Sequence, residues 1–173
     1  MRRLAWIFAT FLFLVLTGHT AASVPANFQA QFTQHFGRGA GAAGGSCAAA
    51  FCGTGQVVGY GEAELTIVVT RVVPASVVHC GFALAVTGTA TIELEDDSAL
   101  VLDETGTYCL PGGSHFAPGN FFVSYGNPLE IEATYTVVGS SGVFAGASGA
   151  GTNSIHQAGG TQMAIYWGTL SFG

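Results

Sequence analysis

Residues Val137–Thr152 read VVGSSGVFAGASGAGT, with glycines at 139, 142, 146, 149 and 151. A phosphate-cradling loop would need a lysine after its last glycine and a helix beyond. The chain has no lysine, and strand-like residues follow. A dinucleotide-binding turn likewise needs a helix after its glycines. A nucleophile elbow needs G-x-S-x-G, but Ser148 has Gly146 two residues before it and Ala150 two residues after it. What survives is a strand–turn–strand corner, whose glycines allow positive φ and close backbone approach. The stretch therefore argues for β structure rather than an α/β fold.

The flanking segments agree. In Leu129–Val138, LEIEATYTVV, the residues Leu129, Ile131, Ala133, Tyr135 and Val137 alternate with Glu130, Glu132, Thr134 and Thr136. Alternation with period two puts one set on each face of a strand. Gln56–Val73 reads as one long strand ended by Pro74, with Ala63, Leu65, Ile67 and Val69 on its apolar face. Val77–Leu94 reads as a second, with Phe82, Leu84, Val86, Ala90, Ile92 and Leu94 on one side. Glu95–Ser98 is a turn, and Ala99–Glu104 returns as a short strand with Leu100 and Leu102 on its apolar side. Asn27–Phe36 fits a strand, Arg38–Gly55 a Gly/Ala-rich loop, Leu110–Gly119 a loop, and Thr161–Phe172 a closing strand. Asn120–Val138 is a strand pair or one strand broken near Gly126-Asn127-Pro128. Helix signals are nearly absent. The expected fold is all-β, an antiparallel β-barrel, with a β-sandwich as the alternative.

The first residues have the layout of an export signal. Arg2 and Arg3 precede an uncharged apolar run from Leu4 to Gly18, and small residues follow at Ala21, Ala22 and Ser23. That arrangement predicts a secretory signal peptide over 1–23 and a secreted or extracytoplasmic protein. The run is too short for a membrane span of about 20 residues. The remainder is one domain: an N-terminal strand and Gly/Ala-rich loop over 24–55, continuous with a barrel core over 56–173.

Without the leader arginines, Arg38 and Arg71 stand against ten acidic residues, a net charge of −8 with histidine neutral. Nucleic-acid affinity comes chiefly from Lys and Arg contacts to phosphate, so that partner is excluded. Adhesion to anionic membranes fails for the same reason.

Cys47, Cys52, Cys80 and Cys109 form an even set, which in an exported chain reads as two disulfides. Three pairings are open. Cys47–Cys52 closes the loop CAAAFC, and Cys80–Cys109 ties two strands if a bulge at Gly106 corrects their register. A bridge of that second span stabilises by about 3–4 kcal/mol.

The pairs Glu62/Glu64, Glu93/Glu95 and Glu130/Glu132 lie two apart on strands, and so share a face. Each sits opposite an apolar face, so they read as solvated outer surface rather than as a calcium or acid/base cluster. His35, His79, His115 and His156 have no partner at metal-ligand spacing, and neither metal nor cofactor is expected. Phe121, Tyr125, Tyr135, Trp167 and the loop residue His115 are the candidates for lining a cavity, with Phe122 and Tyr166 beside them.

Val138–Gly149, VGSSGVFAGASG, resembles the Gly-Gly-Thr-Gly-x-Phe-x-x-Ala-x-Gly hairpin of the allene oxide cyclase and dirigent β-barrel superfamily, which includes small secreted bacterial relatives. Gly139, Gly142, Phe144, Ala147 and Gly149 match, while Ser140 and Ser141 replace the usual Gly-Thr. The resemblance covers about a dozen residues. It implies eight antiparallel strands around a possible apolar cavity, and carries over no catalytic position. Expected roles are the binding of a small apolar ligand in the barrel mouth or a surface and interaction domain. The alternative is a cyclase-like enzyme using a buried Glu or His as acid/base. Nothing in the sequence sets an oligomeric state.

Overall fold

The computed structural model describes residues 25–36, 51–75, 82–110, 115–117, 120–123, 130–158 and 161–173. The strands are β1 (Ala26–Phe36), β2 (Phe51–Val57), β3 (Gly61–Ala75), β4 (Phe82–Leu94) and β5 (Ala99–Leu110). They continue as β6 (His115–Ala117), β7 (Asn120–Val123), β8 (Glu130–Ser140), β9 (Ala147–Ala158) and β10 (Thr161–Phe172). Eight of them close into an antiparallel barrel in the order β1-β10-β9-β8-β5-β4-β3-β2, and β6 pairs with β7 in a separate two-stranded sheet. Closure rules out the sandwich, and it pairs both edges of every barrel strand.

Alternation drives these elements. Along β3, Ala63, Leu65 and Ile67 are buried, and Glu62, Glu64 and Thr66 between them are exposed. The same alternation on β1, β4 and β10 delivers one apolar side chain in two to the lumen, while β2 and β9 contribute glycines to it as well. In an eight-stranded barrel such side chains are enough to fill the interior.

Several boundaries differ from expectation. Gln56–Val73 is not one strand: Val58–Tyr60 is a turn between β2 and β3, with Gly59 at φ 83° and Gly61 at φ 114°. Two glycines in left-handed backbone reverse the chain where a β-branched run suggested continuity. Phe51–Gly55, expected as loop, belongs to β2. The strand expected at Ala99–Glu104 runs on to Leu110, and His115 lies on β6 rather than in a loop. The bulge expected at Gly106 is absent. Pairing of β4 with β5 is unbroken from Phe82↔Leu110 to Glu93↔Ala99, which sets Cys109 opposite Ala83. The register shifts fall instead between Val69 and Arg71 on β3, and between Val101 and Leu102 on β5 against β8.

The glycine-rich corner closes one end of the barrel. After β8, a 3-10 turn at Gly142–Phe144 and a turn at Ala145–Gly146 lead into β9. Ser98, buried in the neighbouring turn, accepts a hydrogen bond on Oγ from the Val143 amide at 3.0 Å, and Ser141 Oγ accepts one from the Ala99 amide at 3.1 Å. Gly142 has φ 61°, and a Cβ there would overlap Ser98 Oγ. These contacts drive Phe144 into the core, where it is fully buried with Tyr60 tilted against it at 4.7 Å between ring centres.

Candidate functional site

The barrel lumen is not wholly apolar. Glu104 on β5 and Asn153 on β9 are both buried, and they meet: Asn153 Nδ2 donates to Glu104 Oε1 at 3.1 Å. The Tyr166 side chain, from β10, is also buried beside this pair, its hydroxyl near enough to Glu104 to favour the charged carboxylate. Cross-strand register explains the grouping. Asn153 is directly opposite Tyr166, and Glu104 is directly opposite Tyr135 on β8. Two adjacent interior rows therefore each supply one tyrosine and one hydrogen-bonding partner.

The aromatic rings wall one side of this centre. Tyr135 and Tyr166 lie 5.8 Å apart, Phe28 packs edge-on against Tyr135 at 6.4 Å, and Phe32 edge-on against Tyr166 at 5.9 Å. Such edge-to-face contacts favour fixed ring positions. Gly151 and Gly168, paired with each other, make room for the Tyr135 hydroxyl. A Cβ on either glycine would come within 2.5 Å of that oxygen. The other side is lined by Ile67, Val69, Val86, Gly88, Gly106 and Ile155, which with Glu104 and Asn153 surround a small cavity. Its free space, about 20 Å³, suits one or two water molecules.

Burial pushes the Glu104 carboxyl from its ordinary 4.5 up to about 7, against the opposing pull of the nearby Tyr166 hydroxyl and of the Asn153 hydrogen bond. The site thus holds a carboxyl group that exchanges its proton near neutral pH. Burial, and secondarily the charge on Glu104, pushes the Tyr135 hydroxyl up to about 12, so it remains a neutral donor. Neither that hydroxyl nor Asn153 Oδ1 has a hydrogen-bond partner among the described residues. Buried polar atoms without partners are uncommon, and both lie in this lumen.

Among the expected cavity residues, Tyr135 and Tyr166 face the lumen. Trp167 does not: one position along from Tyr166, it lies on the outer face and is 52% exposed. The side chains of Phe121, Phe122, Tyr125 and His115 lie outside the described residues. His156 is exposed on β9. Sequence reasoning passed over Glu104 and Asn153. Glu104 continues the Leu100, Leu102 face of β5, and that periodicity was the available signal. Asn153 follows Gly149 and Gly151 on its face, so no apolar run marked it as inward.

Glu62, Glu64, Glu93 and Glu95 are exposed, as expected, and with Asp97 they border an outer groove. Among the described residues no group of acids, histidines or cysteines has the geometry to hold a metal ion. No described cysteine is free. Pairing of Cys47, Cys80 and Cys109 with one another or with Cys52 falls outside the described residues, as does the expected leader over 1–23.

A scan of protein families, a search of curated proteins and a search of solved structures found no match to this chain.

Proposed function

We propose that this chain is an exported, disulfide-stapled barrel of the allene oxide cyclase and dirigent type that holds a small, mainly apolar ligand in its lumen. The observation that carries the reading is Asn153 Oδ1, a buried acceptor without a partner among the described residues, on the wall of an aliphatic cavity that Glu104 also reaches, with the bare Tyr135 hydroxyl elsewhere in the same lumen. Leaving such an atom bare costs about 1–3 kcal/mol, so a barrel serving only as a scaffold is better filled with hydrocarbon. A ligand with one polar group satisfies Asn153 Oδ1 in place of water, and its apolar body lies along Val69, Val86 and Ile155 once those side chains part to widen a space that otherwise fits one or two waters.

A second reading, acid/base catalysis on such a ligand, is favoured by one feature. Glu104 is poised near neutrality, where a side chain both gives and takes a proton.

Native mass spectrometry of protein purified from its own host tests the binding reading. The expected result is an adduct of a few hundred daltons that is lost in Asn153→Leu. A bare-protein mass, with only water resolved in the cavity, would leave a surface or interaction domain. Turnover of the released ligand, abolished in Glu104→Gln, would establish the catalytic reading.

A further inference from the structure

Charge is distributed unevenly around the barrel. Strands β2, β1, β10 and β9 are consecutive in the closed sheet, and none contains Asp, Glu, Lys or Arg. The charged residues of the barrel strands all fall on β3, β4, β5 and β8, with four more acidic or hydroxyl-bearing positions, Glu95–Ser98, in the turn between β4 and β5.

At the centre of the uncharged half stands Trp167. Its immediate cross-strand neighbours are Gln29 on β1 and Thr152 on β9, both exposed. Asn27 and Gln31 extend the row of amides along β1, and Gln31 Nε2 is held against Met163 Sδ at 3.3 Å. A tryptophan left half in water forgoes much of the stabilisation its burial would bring. Here it offers a flat apolar ring bordered by amides and hydroxyls, groups that donate and accept without charge.

From this arrangement we infer that the β2-β1-β10-β9 face binds a neutral polysaccharide. A pyranose ring matches it chemically: its C–H face stacks on the indole, and its hydroxyls bond to the flanking Gln, Asn and Thr side chains. An uncharged face has no counter-charge for an ionic polymer, and the acidic half of the barrel repels polyanions. This site is independent of the lumen, since the Trp167 and Tyr166 side chains point to opposite sides of β10.

Affinity electrophoresis of the full secreted protein through gels containing hydroxyethylcellulose or galactomannan tests the inference, with polygalacturonate as the charged control. Trp167 is the only tryptophan outside the leader, where Trp6 lies, so its fluorescence reports contact directly. At least one neutral polymer is expected to retard the protein and shift its emission, and polygalacturonate is not. Trp167→Ala should weaken retardation at least tenfold with an unchanged melting temperature, Trp167→Phe should keep part of it, and Glu104→Gln should leave it intact. No retardation by either neutral polymer, or equal retardation of Trp167→Ala, would overturn the inference. So would a dimer in sedimentation that depends on Trp167, because the face would then be occupied by a second copy.

Discussion

Asn153 donates to Glu104 across the lumen at 3.1 Å, and so links β9 to β5 over the intervening β8. No backbone pairing joins these two strands. The contact is a product of curvature, which brings side chains of non-adjacent strands together inside a barrel. It also places an ionisable group where water is scarce, and the consequences are measurable.

Stability should fall as pH rises. The Glu104 carboxyl holds its proton up to about 7 in the folded chain, against 4.5 as the ordinary value. Between these values the folded state binds more protons than the unfolded state, so unfolding free energy decreases with pH. The stabilisation is fully present below about pH 4.5 and is lost as pH rises through about 7. The span corresponds to roughly 3 kcal/mol. Urea titrations from pH 5 to 8.5 should show this slope, and Glu104→Gln should flatten it. An unchanged slope in that variant would place the titration elsewhere.

Tyr135→Phe removes a buried hydroxyl that has no partner among the described residues. Unfolding free energy is expected to stay level or rise by up to about 1 kcal/mol, since an unsatisfied group is deleted and the ring is kept. A loss of more than about 1 kcal/mol in denaturant unfolding would show that the hydroxyl is held by a bound water or ligand. Ligand retention in native mass spectrometry should weaken in the same variant.

Two left-handed glycines should respond differently to alanine. Gly59 has φ 83° with nothing within 4 Å of an added Cβ, so the cost is the backbone term of about 1 kcal/mol. Gly142 has φ 61° and would drive its Cβ into Ser98, adding a steric penalty of roughly 1–3 kcal/mol. Thermal unfolding of the two variants should therefore rank Gly142→Ala clearly below Gly59→Ala. Equal midpoints would mean that the Ser98 turn yields without cost.

Glu64 and Glu93 are direct cross-strand partners on the outer surface, and both are exposed. Like charges in that relation destabilise, whereas opposite charges contribute roughly 0.2–1 kcal/mol. Glu93→Lys should raise the melting temperature at low salt, and the gain should shrink at 1 M salt as screening grows. A gain independent of salt would argue for side-chain packing instead.

Alternation by itself determined the class of this protein. Period-two patterns on β3, β4 and β8 state which face is buried, because each successive side chain must leave the backbone on the opposite side. The glycine corner at 139–149 excluded phosphate and nucleophile chemistry by its missing lysine, helix and G-x-S-x-G, and closure of the barrel is consistent with its β reading. Local turn geometry was less legible: Gly59 and Gly61 punctuate the reversal at Val58–Tyr60, but the alternation on either side reads as one strand until their left-handed backbone is seen. The site was the least legible of all. Periodicity places Glu104 on the inner face with Leu102, but it cannot say what stands across from it. Asn153 is 49 residues away, and Tyr166 lies on a third strand. Their meeting depends on strand order and on the registers of β5 with β8, β8 with β9 and β9 with β10, including the shift at Val101/Leu102. These are long-range choices made by the packing of the whole barrel, and for that reason the tertiary structure alone decided which polar groups share the lumen.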